Sequence, residues 1–154
     1  MMEQRKVIPI TRDHLPLIAR LEEVCFAEPW SEKALEILLG ENAFGFVLLE
    51  DGQAVSYAGM MTVLDEGQIT NVASHPDYRK RGYGAAVLSA LLDEAAARNL
   101  SLISLEVRKS NRDAISLYER LGFCVVGDRR NFYKHPPEDA FVMLLERKPL
   151  EIDS

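Results

Sequence analysis

The chain has 154 residues, 47% hydrophobic and 27% charged, with a formal net charge of −6. This suffices for one domain with its own core, and the acidic balance argues against general nucleic-acid binding while leaving a basic protein partner open. No apolar run approaches a membrane span and the start, M-M-E-Q-R-K, lacks the form of a signal peptide, so a soluble cytoplasmic protein with no membrane partner is expected.

Lys6 to Ile10 reads as a first strand. Thr11 or Asp13 can cap a helix to about Cys25, with Leu15, Ile18, Leu21 and Cys25 on one face. Phe26 to Trp30 is a loop, Ser31 caps a second helix over Glu32 to Leu39, and Gly40 ends it. Phe44 to Glu50 and Gln53 to Val63 are strands joined by the tight turn Asp51-Gly52. Asp65-Glu66-Gly67 turns into a third strand, Gln68 to Ala73, completing an antiparallel meander. A loop and a helix ending near Asn99 follow, then a buried strand over Leu102 to Val107. Ser110 or Asn111 caps a helix through Arg120, closed by Gly122. Phe123 to Asp128 and Asp139 to Glu146 form a last strand pair, joined by R-R-N-F-Y-K-H-P-P-E. The predicted order is βααβββαβαββ: an α/β domain over residues 1–148 with a mixed, mostly antiparallel sheet flanked by helices, and a frayed tail over 149–154. Cys25 and Cys124 sit in apolar surroundings and are expected as buried free thiols. His14, His75 and His135 lie far apart with no metal-ligand spacing, so no metal is expected.

The most informative stretch runs from Asn71 to Ala96. A short apolar strand stops at His75-Pro76-Asp77, three cations follow (Arg79, Lys80, Arg81), then Gly82-Tyr83-Gly84, and a helical apolar pattern begins at once. A helix N-terminus carries partial positive charge, so cations there are misplaced unless an anion binds between them and the free backbone N–H groups. A solvated basic turn is the bland alternative. The glycines between strand and helix favour the anion site, because they let backbone approach a ligand closely. The dinucleotide fingerprint G-x-G-x-x-G fails at Val87, and no G-K-[ST] occurs.

What remains, R-x-x-G-x-G over Arg79, Gly82 and Gly84, resembles the pyrophosphate loop of the GCN5-related N-acetyltransferase (GNAT) superfamily, whose members use acetyl-coenzyme A. Three further stretches look like its RimI branch: L-E-V-R-x-S-N-x-x-A-I-x-L-Y-x-x-L-G-F from Leu105, R-R-N-F-Y with the later E-D-A-x-x-M, and F-A-E-P-W-S from Phe26. The resemblance covers roughly Leu15 to Leu145. It implies the acetyltransferase fold, in which the strands on either side of the cofactor helix splay apart. It also implies transfer of an acetyl group to a protein N-terminus, the N-terminal alanine of small-subunit ribosomal protein number eighteen, by a monomer or weak homodimer. By this resemblance Glu106 is the general base and Tyr118 the general acid. Val72, Ala73 and Ser74 match the strand edge that pairs with the pantetheine arm, Arg79 to Gly84 the pyrophosphate loop, including Lys80, Arg81 and Tyr83, and Asn111 a cofactor contact. Trp30 and Tyr133 are expected beside the acceptor. Ser74 stands where an aliphatic residue is usual, and Phe132 where a tyrosine is common.

The chemistry needs such residues independently of the family. An amine attacks a thioester only when neutral. An α-amino group has a pKa of about 7.7–8.0 against about 10.4 for lysine, a difference of roughly 3.4 kcal/mol in deprotonation work. A carboxylate can take that proton, and a tyrosine hydroxyl can protonate the departing thiolate. Each residue also has an ordinary reading: Glu106 on the solvated side of a strand, Tyr118 as a core aromatic, Asn111 as a helix cap. Two alternative functions stay open at this level, transfer to a small amine or lysine, and an acyl-coenzyme A-binding module without turnover.

Overall fold

The computed structural model describes residues 5–147; the tail expected from residue 149 lies outside them. Strand β1 is Arg5–Pro9, followed by a 3₁₀ turn (Arg12–His14), helix α1 (Leu15–Cys25) and helix α2 (Glu32–Leu35), which tightens into 3₁₀ over Glu36–Leu39. Then come β2 (Ala43–Glu50), β3 (Gln53–Val63), β4 (Glu66–Ser74), a 3₁₀ turn at Pro76–Tyr78, α3 (Tyr83–Ala97), β5 (Leu102–Arg108), α4 (Arg112–Arg120), β6 (Cys124–Lys134) and β7 (Pro137–Glu146). This is the predicted order. The seven strands form one sheet, β1-β2-β3-β4-β5-β7-β6, antiparallel at every pairing except β4 with β5.

The sheet separates two apolar clusters because neighbouring strand residues point to opposite faces. On β2, Val47 and Leu49 join α1 and α2, whereas Leu48 joins α3. Helix α3 is the central packing element. Val87, Leu88, Leu91 and Ala95 have no exposed surface, and each buried leucine contributes about 1.5–3 kcal/mol. Local backbone chemistry sets the turns: Asp51 and Gly52 both have positive φ (50° and 81°), as the two-residue hairpin requires. Gly122, at φ 105°, closes α4.

Four expectations need correction. The turn into β4 lies at Leu64-Asp65, and Glu66 already pairs with Val63. Residues 129–134, expected as a connection, continue β6, so the last hairpin is long and turns only at His135-Pro136. Its polar, exposed side chains and an irregular register between Arg129 and Tyr133 hide the strand periodicity. Strand β5 is not buried throughout but alternates, with Ile103, Leu105 and Val107 inside and Glu106 on the other face. Cys124 is exposed, because β6 is the sheet's edge, while Cys25 is half-buried and its thiol donates to the Ser74 carbonyl at 3.3 Å.

Candidate active site

The parallel pair β4–β5 holds for only three residues, Glu66 to Gln68 opposite Leu102 to Ser104. Beyond them the strands part, with β4 continuing to Ser74 and β5 to Arg108. The gap opens a cleft of about 490 Å³, walled by Ile69 to Val72 on one side and Leu105 to Arg108 on the other. The loop at Phe26–Trp30 and the end of the β6–β7 hairpin complete it. The splay is what a two-substrate site needs: it exposes the edge of β4 and opens a passage through the sheet.

The cofactor side is built locally. Lys80 and Gly82 take left-handed backbone (φ 65° and 79°), and Gly82 is the N-cap of α3 with no side chain capping the helix. The first N–H groups of α3 are therefore not met by a capping side chain, and they sit beside Arg79, Lys80 and Arg81. A Cβ on Gly82 would meet nothing within 4 Å, so this glycine answers to conformation. One on Gly84 would come 3.3 Å from Ser74 Oγ, so that glycine answers to the strand behind it. The Arg81 guanidinium lies over the Tyr78 ring, 5.0 Å from its centre. Tyr83 points inward: it is 5% exposed and its hydroxyl donates to Glu50 at 2.7 Å, leaving only its backbone for an anion. Val72 and Ser74 are half-buried and Ala73 is buried along β4. These features fit a pyrophosphate and an extended arm, the group that the sequence implied.

Glu106 and Tyr118 both line the cleft. Alternation on β5 points Glu106 into it, with a side chain 12% exposed. Its carboxylate accepts from Gln68 Nε2 at 3.1 Å and faces Arg129 Nε at 3.6 Å. Tyr118, two turns into α4, is 6% exposed, packs edge-on to Phe123 and reaches the same cleft. Burial, and secondarily the nearby Tyr133, pushes its hydroxyl pKa well above the ordinary value, so it stays a proton donor. Asn111 lines the cleft too, but its Oδ1 caps α4 by accepting from Ala114 N–H at 3.2 Å. Trp30, on the loop, and Tyr133, on the hairpin, both line the cleft. Burial pushes the Tyr133 hydroxyl up; the Arg108 guanidinium, 4.2 Å from its ring centre, opposes this, and Glu106 and Glu138 add to it. The cleft thus brings Glu106, Tyr118, Asn111, Val72, Trp30 and Tyr133 together, while Arg79 to Gly84 lie at the N-terminus of α3.

Several cleft residues carried no sequence signal strong enough to find them. Arg108 fastens the hairpin by donating to the carbonyls of Pro136 (2.9 Å) and His135 (3.1 Å) and pairing with Glu138. Glu138 in turn accepts from Ser110 N–H at 2.7 Å, just before α4. Such ties span about thirty positions and have no spacing rule. Glu22 differs: it falls four residues after Ile18 and seven after Leu15, on the apolar stripe of α1, so helical periodicity marks it as buried.

A splayed sheet with a helix N-terminus lacking a side-chain cap, and a cleft lined by a carboxylate and a buried phenol, is an arrangement suited to acyl-group transfer. The acetyltransferase (GNAT) family profile matches residues 15–123, and the chain belongs to that family. It is 41% identical over 133 residues to the ribosomal protein bS18-alanine N-acetyltransferase of Escherichia coli, covering 85% of this chain and 90% of that one. The crystal structure of a ribosomal-protein-alanine N-acetyltransferase from Escherichia coli superposes with a TM-score of 0.87 at 35% identity, over 98% of this chain and 100% of the other. A structure titled as the PaiA N-acetyltransferase of Thermoplasma acidophilum in complex with coenzyme A shares the fold (TM-score 0.77, 11% identity, 94% and 99% covered). The likeness to the RimI branch read from the motifs therefore extends over the whole domain.

Proposed function

We propose that this protein transfers an acetyl group from acetyl-coenzyme A to the N-terminal α-amine of a protein, and that the acceptor is the N-terminal alanine of small-subunit ribosomal protein number eighteen. The relative at 41% identity, whose name states that reaction, supports the acceptor. The observation that carries the reading is the cleft itself, with Glu106 and Tyr118 both lining it and the edge of β4 unpaired beyond Gln68. The acceptor end also favours a chain terminus. Glu28 on the loop and His135 on the hairpin approach to 3.4 Å and bridge the two walls, a shape suited to end-on entry. A ribosomal acceptor places the reaction in the cytoplasm.

When bound, acetyl-coenzyme A supplies a thioester carbonyl to be attacked by the amine. The chain's residues do the rest. The backbone at Gly82 to Gly84, with Arg79 to Arg81, holds the pyrophosphate, and the edge at Val72 to Ser74 holds the arm. Glu106, directly or through a water, takes the proton that the amine loses. Tyr118 gives its proton to the sulfur as the carbon–sulfur bond breaks. The new carbon–nitrogen bond balances the broken one, and no covalent enzyme intermediate is needed.

The test is a panel of acceptor peptides, followed by free-thiol release. A peptide beginning with alanine should be acetylated, whereas N-terminally blocked copies containing lysine should not. Equal rates on both would move the assignment to a lysine or small-amine acceptor. No turnover on any amine, with acetyl-coenzyme A still bound, would leave a binding module.

A further inference from the structure

The reaction outlined above leaves one buried carboxylate of the cleft without a part. Glu22, on α1, is 2% exposed yet lines the cleft. Both of its oxygens are engaged. Oε1 accepts from the backbone N–H of Trp30 at 2.9 Å, and Oε2 accepts from the Tyr57 hydroxyl at 2.5 Å. Tyr57 has no exposed surface and sits on β3, where it pairs with Ala73 of β4. Asn71 lies on β4 and lines the same cleft, with its Oδ1 accepting from Thr70 Oγ1 at 2.7 Å. The hydrogen bonds of Glu22 thus tie the Phe26–Trp30 loop, through α1, to the middle of the sheet.

We propose that Glu22 is a positioning residue for the acceptor: it fastens the Phe26–Trp30 loop to Tyr57 and so sets the space in which the acceptor's first residue is held. The inference rests on the acetyl-transfer reading of the cleft. Two physical points carry it. A carboxylate on the apolar stripe of α1 is costly where leucine or methionine would pack without desolvation, and burial raises the Glu22 pKa accordingly. Its two partners offset that cost, and one of them is the backbone of a residue on the acceptor wall. Moreover, the loop has little else to hold it. Among the described residues, positions 27–29 have no polar tie besides the exposed Glu28–His135 pair. Removing the Glu22 acceptor should let Trp30 move while leaving the pyrophosphate loop, built by α3, in place.

The experiment uses the full chain with Glu22→Met, which removes both acceptor oxygens at similar length, and, as a milder variant, Tyr57→Phe, which removes one donor and keeps the Trp30 bond. Trp30 is the single tryptophan, so its fluorescence reports the loop directly and without substrate. Glu22→Met should red-shift the Trp30 emission and raise the KM for an alanine-starting peptide about tenfold or more, while kcat at saturation and the acetyl-coenzyme A Kd stay within about threefold. Tyr57→Phe should move both readouts in the same direction by less. Unchanged emission and KM would overturn the proposal. So would a parallel loss of acetyl-coenzyme A affinity and kcat, which would make Glu22 a general support of the fold. If Glu22→Met does not fold, Tyr57→Phe decides by the same readouts. If the wild type fails to acetylate the peptide, the acceptor assignment fails, and the Trp30 emission still decides the tether.

Discussion

The two ends of the cleft are built in opposite ways. The end proposed for the cofactor comes from one continuous stretch, Val72 to Gly84, in which strand, cationic loop and helix start follow one another. Its features are backbone features: an unpaired strand edge, left-handed residues and a helix N-terminus without a side-chain cap. The end proposed for the acceptor comes from Glu22 to Trp30, Glu106 to Asn111, Tyr118 and the β6–β7 hairpin, held together by Glu22, Arg108 and the Glu28–His135 pair. Backbone geometry suits a ligand common to a whole family, because it tolerates side-chain change. Side-chain ties between distant elements suit an acceptor particular to one branch, because each can be altered alone. Substitutions at the two ends should therefore separate affinity for acetyl-coenzyme A from everything else.

The sharpest separation is expected at Tyr118 and Glu106. Tyr118→Phe should lower kcat by ~10²–10⁴-fold, the usual span for a general acid, with acetyl-coenzyme A binding unchanged by calorimetry. Near-wild-type turnover would remove Tyr118 as the acid. Because burial raises its pKa, the hydroxyl loses its proton only as pH rises through that raised value. The wild-type rate should accordingly show no downturn at the ordinary tyrosine value of about 10.

Glu106→Gln should cost a similar factor at neutral pH, but the loss should shrink as pH rises through about 8, where an α-amine deprotonates unaided. A pH–rate profile for this variant checks it; a loss constant with pH would assign Glu106 to holding the acceptor instead.

At the cofactor end the effects are smaller and fall on affinity. Gly82→Val forces a β-branched residue into left-handed backbone, a cost of about 1–2 kcal/mol, so acetyl-coenzyme A should bind about tenfold more weakly while the peptide KM holds. Unchanged affinity would move the anion elsewhere. Gly84→Val should act more mildly, since its Cβ has only to displace the Ser74 hydroxyl at 3.3 Å.

Arg79→Ala is the smallest expected change. It should weaken acetyl-coenzyme A binding a few-fold at low salt, with the difference fading at high salt, where a Debye length of about 3 Å screens an exposed cation. A salt-independent loss would mean that Arg79 makes a buried contact.

The same contrast decided what could be read in advance. The element order, the Asp51-Gly52 hairpin and the Gly122 helix end were legible because local chemistry dictates them. The extension of β6 through Lys134 was not, because its side chains are exposed and only pairing with β7 makes it a strand. Cys124 misled for the same reason: apolar neighbours suggested burial, and the edge position exposes it. Glu106, Tyr118 and Asn111 were picked out through motifs, and their convergence on one cleft is a tertiary fact. Glu22 could have been flagged by its place on the stripe of α1, but not its partners, since Trp30 lies across a loop and Tyr57 is 35 positions away.

By itself the sequence determined the elements, their order and the cationic glycine loop at the head of a helix, because hydrophobic period, turn residues and backbone freedom act over a few neighbouring positions. Only the tertiary structure decided where β4 and β5 part, which face of β5 turns Glu106 into the gap, and which elements wall the cleft. Those outcomes depend on packing across the sheet and on hydrogen bonds between residues dozens of positions apart, and no local pattern encodes them.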